Sequence, residues 1–299
     1  MDRQNILEVS NVSKVFKWKD KTIRAVNQVS FRLTEKAIIG ISGRNGSGKT
    51  TLLKLIAGLL IPDEGNVMLF GQPLNDRNAK ENVSILLEGS RSFYWNLRGR
   101  ENLEYFCQLN KIRNMKKEID NMIELLRLDT FIDNLTGSYS RGMQQKLSLA
   151  IALLSKPKLL ILDEPTNGLD YESKVQLSKI LQQLVSELGI SILIVCHESV
   201  FLQSTVNHIL IMEKGAIVES LKINKTDFNS YDFVSFEFSG YISDIANFPS
   251  NIFLDFKADS FVVYSHKSNK ELYEVIVRLL ECGYELCEIK SMQQVEGRT

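Results

Sequence analysis

The sequence predicts an α/β protein built on a parallel β-sheet with helices on both faces, followed by a separate small α+β domain. Over the first 220 residues, continuous apolar runs alternate with segments of helical spacing, as in sheets whose strands are joined by helices. A glycine-rich loop links one apolar run directly to a helix. Beyond residue 220 the pattern changes to short alternating strands and an amphipathic helix.

The predicted elements of the first domain follow in order along the chain. Apolar runs bounded by glycine or polar residues predict strands at residues 6–9, 29–33, 37–41, 65–71, 83–87, 159–162 and 190–196. Helical spacing predicts a helix opening at residues 52–57, a long helical stretch at 102–128, and helices at 141–154 and 173–188. The strands at 6–9, 29–33 and 65–71 are expected to form a small β-rich layer beside the main sheet.

A second domain is predicted at residues 226–299, after a first domain at residues 1–222. Strands are expected at residues 233–238, 252–256, 261–264 and 284–289, with a hairpin across residues 257–260. Between the last two strands, helical spacing begins at Leu272 and stops at Gly283, a natural helix end.

Composition and charge narrow the possible functions. The 299 residues are 44% hydrophobic and 24% charged, as in ordinary globular proteins. No apolar run approaches the roughly 18 residues that cross a bilayer, and the first residues do not resemble a signal peptide. We therefore expect the chain in the cytosol, with its cysteines as free thiols. Residues 226–299 carry 12 acidic and 6 basic side chains, which argues against a nucleic-acid partner.

The glycine-rich loop predicts phosphate binding. Its glycines let successive N–H groups face a phosphate, and the following helix N-terminus adds positive potential. Lys49 supplies a cation for terminal phosphates and Thr50 a hydroxyl for magnesium. We expect the nucleotide-binding residues of this loop to be Gly43, Asn45, Gly46, Ser47, Gly48, Lys49, Thr50 and Thr51.

An apolar strand at residues 159–162 ends in two acids, Asp163 and Glu164. If this strand lies beside the strand of the phosphate loop, Asp163 comes close to the magnesium held by Thr50. Glu164, one residue further, could then polarise an attacking water. Alone, such a run is more often a strand followed by a turn; paired with the loop, it predicts a second part of one site.

The order of the motifs resembles the ATPase subunit of ATP-binding-cassette (ABC) transporters. The phosphate loop is followed by Ser-Arg-Gly at residues 140–142, by Leu-Leu-Ile-Leu-Asp-Glu-Pro-Thr-Asn-Gly-Leu-Asp at 159–170, and by a strand ending near His197. The resemblance covers about residues 5–220. It implies a P-loop NTPase (ABC ATPase) core with an N-terminal antiparallel β layer and a helical subdomain at about residues 89–155, followed by the small α+β domain that the sequence pattern predicts.

The resemblance also implies roles for individual residues. Asp163 corresponds to the magnesium-site acid, Glu164 to the general base, and His197 to the switch residue that contacts the γ-phosphate. Ser140 and Gly142 correspond to the signature that closes over ATP held by a second subunit, which requires a homodimer or a related ATPase subunit. Ser140 is in any case a good helix N-cap.

An aromatic residue near the start of the chain corresponds to the family's adenine-stacking position. Phe16 lies about where the family places this residue, with Trp18 as a weaker rival; either could simply be packing.

Two positions depart from the family pattern. Glu88 stands where the family usually has Gln, and a carboxylate there can still bind magnesium while adding negative charge near Asp163. The signature reads Tyr-Ser-Arg-Gly-Met in place of Leu-Ser-Gly-Gly-Gln. Such variants, and the small second domain, resemble the branch that exports drugs, antibiotics or polysaccharides.

Three adjacent aromatic residues, Phe93, Tyr94 and Trp95, follow Glu88. An exposed cluster of this kind usually marks a partner surface, and in this family the region receives a helix of the membrane subunit. A buried loop plug is the alternative.

The expected function is ATP hydrolysis, with ATP and Mg²⁺, by a subunit that dimerises around two ATP molecules. The subunit would lie at the inner face of the cell membrane and drive a separate multi-span membrane subunit. The resemblance to the exporter branch implies export as the direction. A soluble ABC-type mechanical ATPase acting on DNA or ribosomes is a second interpretation, but such proteins generally carry coiled coils, zinc modules or a second ATPase half. A third interpretation is a nucleotide-binding regulatory module that does not hydrolyse ATP. The presence of both Glu164 and His197 argues against it.

Overall fold

The computed structural model describes residues 4–18, 21–74, 76–89, 92–223, 233–240, 253–256, 260–266 and 270–292. The chain divides into two compact units, one within residues 1–223 and one formed mainly by residues 224–299. No helix among the described residues is long and apolar enough to span a bilayer.

The elements of the first unit alternate between strands and helices, with most helices in its second half. In chain order they are β1 (Asn5–Trp18), β2 (Lys21–Thr34), β3 (Ile38–Ser42), α1 (Lys49–Ile56), β4 (Glu64–Leu69), β5 (Gln72–Pro73), α2 (Arg77–Glu81), β6 (Val83–Leu86), α3 (Gly99–Leu109), α4 (Met115–Leu126), α5 (Arg141–Leu154), β7 (Leu159–Asp163), α6 (Tyr171–Leu188), β8 (Ser191–Val195), α7 (Ser199–Thr205), β9 (His208–Glu213) and β10 (Ala216–Lys222). A short 3₁₀ turn, Thr136–Ser138, precedes α5.

The N-terminal β layer is an antiparallel sheet with strand order β2-β1-β4-β5. β1 and β2 are 14 residues each, much longer than the two short strands predicted there. Their inward side chains, such as Leu7 and Leu33, are fully buried and share a core with Leu52 and Leu53 of α1. The predicted antiparallel layer is confirmed, and its core fixes the helix that begins at the phosphate loop.

The central sheet has the strand order β10-β9-β3-β8-β7-β6, with β10 antiparallel at one edge and the other strands parallel. Every residue of β7 and β8 is buried, as expected for strands covered on both faces. β8 lies between β3 and β7, so the expectation that β7 lies directly beside β3 is wrong. The crossover through α6 returns the chain to pair with both strands, and this inserts β8 between them.

Helices α3, α4 and α5 form the helical subdomain around a common apolar core that includes Leu103, Ile119 and Leu147. The predicted helical stretch at residues 102–128 is in fact two helices. The chain turns between them, where Lys111 and Asn114 both have left-handed backbone conformations, with φ of 53° and 57°. A left-handed residue cannot continue a right-handed helix, so α3 and α4 are separate elements.

The second unit is an α+β domain with one antiparallel sheet. Its elements are β11 (Phe233–Ser239), β12 (Phe253–Phe256), β13 (Ser260–His266), α8 (Lys270–Glu281) and β14 (Leu286–Met292), and the strand order is β12-β13-β11-β14. Leu272 and Ile276 of α8 pack on Phe238 and Phe261 of the sheet. β12 and β13 pair as the predicted hairpin, although residues 252 and 257–259 lie outside the described residues.

Candidate nucleotide-binding site

The candidate site lies where parallel strands of the central sheet end. β3, β7 and β8 are neighbours in register, so the residues after Ser42, Leu162 and Val195 meet at one edge. The carboxyl ends of strands in an open α/β sheet are where such folds present ligands. The phosphate loop, the acidic pair and His197 all follow these strands.

The loop between β3 and α1 is held in a shape that only glycine allows. Gly43 and Gly48 have φ of 153° and 102°, in the region that L side chains rarely adopt. A Cβ atom on Gly43 would overlap the carbonyl oxygen of Met212, and one on Gly48 would overlap that of Ala25. The loop therefore passes close under two neighbouring strands, which fixes its path.

The loop and the start of α1 present groups suited to a phosphate. Lys49 is only 6% exposed, and its Nζ donates to the carbonyl oxygens of Gly43 and Arg44 at 2.7 and 3.2 Å. The Lys49 side chain therefore folds back over the loop, which places its ammonium group against the loop backbone. Ser47 Oγ is buried and has no hydrogen-bond partner within the described ranges of the chain. The first N–H groups of α1 have no acceptor within the helix, so they are available to an anion.

The other loop residues are arranged around these groups. Asn45 and Gly46 form the exposed tip, Thr50 is exposed at the start of α1, and Thr51 is partly buried. The Thr50 hydroxyl is thus accessible on the same helix turn as Lys49.

Asp163 ends β7 and is buried, with 6% exposure. Its pKa is raised to about 6, mainly by burial and next by the neighbouring Glu164 and Glu88 carboxylates, while the backbone of Glu88 and the charge of Lys49 act in the opposite direction. Its Oδ1 has no hydrogen-bond partner among the residues that the structure describes. A buried carboxylate oxygen with two other acids nearby is an unfavourable arrangement that a cation would relieve.

Glu164 and His197 contact each other at the end of β7 and β8. Oε2 of Glu164 lies 2.8 Å from Nδ1 of His197 and accepts from the His197 backbone N–H at 3.3 Å. The Glu164 backbone is anchored by its own N–H, which donates to Val195 O at 2.7 Å. Glu164 has φ of 46°, a conformation that is uncommon outside glycine and that turns its side chain toward His197.

Glu88 follows β6 and is exposed, and its carboxylate is bonded to the loop after β7. Oε1 of Glu88 accepts from Nδ2 of Asn167 at 2.5 Å. The sequence predicted Glu88 near magnesium and gave Asn167 no ligand, so this contact was missed. The sequence of a short exposed loop does not indicate which acceptor on another loop its Asn side chain will bond.

The donor set fits ATP and Mg²⁺. The unpartnered Ser47 Oγ and Asp163 Oδ1, the buried Lys49 ammonium and the accessible Thr50 hydroxyl together suit a phosphate chain and a hard cation. No group of three or more His, Cys, Asp or Glu side chains in the described part of the chain is arranged to hold a metal ion. Nucleotide oxygens would therefore have to complete the coordination, which is usual for Mg²⁺.

Ser140 and Gly142 lie apart from this group. Ser140 is exposed and caps α5, its Oγ accepting from the N–H of Met143 at 3.3 Å, so the predicted N-cap is confirmed. Both residues line a cavity of about 150 Å³ between α5 and α6, which none of the phosphate-loop residues lines. Any Cβ at Gly142 would lie 2.8 Å from Ser173 Oγ, so glycine keeps α5 and α6 close.

Phe16 is 40% exposed on β1, paired across the sheet with Ile23. Lys14 Nζ lies 5.9 Å from its ring centroid. The ring is thus partly open to solvent, with the Lys14 ammonium near one of its faces. The side chain of Trp18 is not among those that the structure describes.

The three adjacent aromatic residues do not all face solvent. Tyr94 and Trp95 are 49% and 42% exposed, but Phe93 is 8% exposed and packs in the core of the helical subdomain. The interpretation of Phe93 as a surface residue is therefore wrong. The third exposed aromatic side chain is Tyr105 of α3. Its ring lies edge-on to that of Tyr94, with 4.9 Å between the ring centroids. Periodicity could not show this in an irregular loop.

Comparison with known proteins places the chain in a family. The ABC transporter family profile matches residues 26–167. YhcH of Bacillus subtilis, an uncharacterized ABC transporter ATP-binding protein, is 32% identical over 78% of this chain and 75% of YhcH. The bacitracin transport ATP-binding protein BcrA of Bacillus licheniformis is 30% identical with the same coverage of each chain. The chain belongs to the ABC transporter ATP-binding proteins, which bind and hydrolyse ATP as subunits of transporters.

A solved structure shares the fold. The structure of cbiO1 from Clostridium perfringens, part of the ABC transporter complex cbiONQ, matches with a TM-score of 0.67 at 24% identity, over 75% of this chain and 91% of cbiO1. Import proteins are also among the relatives, such as the methionine import ATP-binding protein MetN 1 of Staphylococcus epidermidis, 28% identical over 72% of this chain and 65% of MetN 1.

Proposed function

We propose that this chain dimerises around two ATP molecules and that their hydrolysis drives a separate membrane subunit, with export as the direction. The observation that carries this proposal is the contact between Glu164 and His197, beside Asp163 and the phosphate loop. A carboxylate held by an imidazole next to a phosphate site has the arrangement needed for hydrolysis by water.

The proposed chemistry assigns one task to each group. Lys49 and the N–H groups of α1 bind the β- and γ-phosphates and neutralise charge that grows during hydrolysis. Asp163 and Thr50, with Glu88, are the residues that would hold Mg²⁺, which when bound supplies charge neutralisation on the phosphate oxygens. Glu164 orients water and accepts its proton, and His197 keeps the Glu164 carboxylate in place.

The proposed dimer explains why Ser140 and Gly142 lie apart from the loop. An exposed helix N-terminus with a hydroxyl is an anion site, and in one subunit no phosphate-loop residue lines the cavity beside it. In the dimer, Ser140 and Gly142 of one subunit would meet the phosphate of the ATP that is bound to the phosphate loop of the other subunit. Phe16 is proposed to stack on the adenine.

The membrane partner is proposed to dock at the exposed aromatic residues Tyr94, Trp95 and Tyr105. This places the chain at the inner face of the cell membrane. Export is supported by the signature variant and by the similarity to BcrA, a bacitracin transport protein; an import partner would overturn this part alone.

The substitution Glu164→Gln tests the proposal. It keeps the shape of the side chain but removes the proton acceptor, so phosphate release should fall by about 10²–10⁴-fold. ATP-dependent dimers should accumulate, seen as a shift in sedimentation on adding ATP. Glu81→Gln, an acid outside the site, is the matched control. Unchanged hydrolysis in the Glu164 variant would refute the assignment of the base.

A further inference from the structure

We propose that Asn167 and the divalent cation compete for the Glu88 carboxylate, so that cation binding releases the loop at residues 167–170. This inference rests on the proposed function, because it takes the cation to bind at Asp163. It makes Glu88 a positioning residue for that loop as well as a cation ligand.

Asn167 and Glu88 are in direct contact. Nδ2 of Asn167 donates to Oε1 of Glu88 at 2.5 Å, a charge-assisted hydrogen bond between two residues 79 positions apart. The Asn167 side chain has no second hydrogen bond in the described part of the chain. The bond therefore joins the segment after β6 to the loop after β7, and it depends on an acceptor at position 88.

Glu88 also lies near the other acids of the site. Its carboxylate and its backbone are both close enough to Asp163 to change the pKa of that residue. Yet Glu88, Asp163 and Glu164 do not form a group that could hold a metal ion. The Glu88 carboxylate, which is bonded to Asn167, would therefore have to turn toward Asp163 for both to bind one cation.

The backbone of the loop at residues 167–170 is held at both ends. Asn167 N–H donates to Glu164 O at 3.2 Å and Leu169 N–H to Thr166 O at 3.0 Å, while Asp170 Oδ1 accepts from Ser173 N–H at 2.8 Å at the start of α6. Asn167 and Gly168 are exposed. On its other side, a Cβ on Gly168 would lie 3.6–3.8 Å from the Arg141 side chain. The loop therefore lies between Glu88 and the residue that follows Ser140 in the same subunit.

The Glu88 carboxylate thus has two competing partners, Asn167 and the cation. Mg²⁺ prefers carboxylate oxygen, and a charged ligand draws Glu88 more strongly than a neutral amide does. When Glu88 turns to the cation, Asn167 loses its acceptor and the loop is no longer tied to the segment after β6. The two equilibria are linked. The factor by which the cation weakens the Asn167–Glu88 bond equals the factor by which that bond weakens cation binding.

The test measures that factor with ADP, so that neither hydrolysis nor ATP-dependent dimerisation contributes. The affinity for a fluorescent ADP analogue is measured with Mg²⁺ and with a chelator, and the ratio is the gain due to the cation. Asn167→Ala should increase this gain about fivefold, at the low end of typical coupling because both side chains are exposed. Glu88→Ala should reduce the gain, and adding Asn167→Ala to it should change nothing further.

A second readout follows the loop without any ligand. Amide exchange of Leu169 should be about fivefold faster in Asn167→Ala and in Glu88→Ala than in the wild type, and no faster in the double variant. Asn134→Ala, an exposed Asn in the helical subdomain, is the matched control and should match the wild type. The inference is overturned if Asn167→Ala leaves both the gain and the exchange unchanged, or if it raises the gain equally when Glu88 is absent. Loss of dimerisation in the ATP experiments would refute the proposed function without altering either result.

Discussion

Glu164 Oε2 lies 2.8 Å from His197 Nδ1, which joins the ends of β7 and β8 across the edge of the central sheet. A carboxylate only accepts hydrogen bonds, so Nδ1 carries the proton in this contact and the orientation of the ring is fixed. Glu164 is largely enclosed while His197 is 41% exposed. The pair thus presents an imidazole to solvent and holds a carboxylate behind it.

We expect His197→Ala to lower ATP hydrolysis about 10²-fold at saturating ATP. The substitution removes the Nδ1 contact but keeps the backbone N–H that also reaches Glu164, so the loss should be smaller than that of Glu164→Gln. His208→Ala is the control, because His208 bonds Ser220 outside the site. Steady-state phosphate release gives the comparison, and a fall of less than threefold would contradict the role of His197.

Asp163→Asn should stabilise the nucleotide-free protein while abolishing its activity. The pKa of Asp163 is raised from 3.8 to about 6, so the folded protein keeps this proton where the unfolded chain has lost it. The stability that the proton contributes is fully present below about pH 4 and is lost as the pH rises through about 6. The variant should therefore gain about 2–3 kcal/mol over the wild type at pH 7.5 and almost nothing at pH 4.

Urea unfolding without nucleotide or magnesium checks this prediction. Asp133→Asn is the control of opposite sign, because the hydrogen bond from Arg100 lowers the pKa of Asp133. Its folded-state charge contributes stability that is present above the unfolded pKa, so this variant should lose stability at pH 7.5. A gap between Asp163→Asn and the wild type that does not change with pH would contradict the assigned cause.

Local sequence patterns predicted the parts of this fold whose causes are local. The strand before Gly43, the helix after Lys49 and the cap at Ser140 each depend on residues within a few positions. The place of β8 between β3 and β7 depends on strand pairing across more than 100 residues, which periodicity does not encode. The division into α3 and α4 depends on left-handed turns at residues that are not glycine.

The site shows the same limit. The path of the phosphate loop could be predicted because glycine at residues 43 and 48 has a direct steric reason. The contact of Glu88 with Asn167 joins two exposed loops, and the burial of Phe93 beside exposed Tyr94 lies in an irregular segment. In both cases the outcome depends on how distant elements pack, so the residue types alone do not decide it.

Trp95→Ala should weaken recovery of the membrane subunit without unfolding the chain. Trp95 is 42% exposed and belongs to the proposed docking surface, so its loss removes contact area with little cost to the core. Phe93→Ala should instead destabilise the protein by about 3 kcal/mol, because a buried ring is deleted. Co-purification and thermal unfolding separate these effects. Tyr273→Ala, 68% exposed on α8, is the control, and equal recovery for the Trp95 variant would exclude this surface as the dock.

Ser140 has a structural role as a helix cap and a proposed role as a phosphate ligand of the other subunit, and two substitutions separate them. Ser140→Ala removes the bond to the Met143 N–H, which should cost about 1 kcal/mol of stability, and it also removes the hydroxyl proposed to meet the phosphate. Ser140→Asp keeps a good N-cap but places a carboxylate where the phosphate of the partner's ATP is expected. In the Glu164→Gln background, ATP-dependent dimers should be weakened by alanine and lost with aspartate, although the aspartate variant keeps the wild-type unfolding midpoint. Sedimentation with and without ATP gives the dimer fraction. Dimers that persist with aspartate would show that Ser140 acts only as a cap.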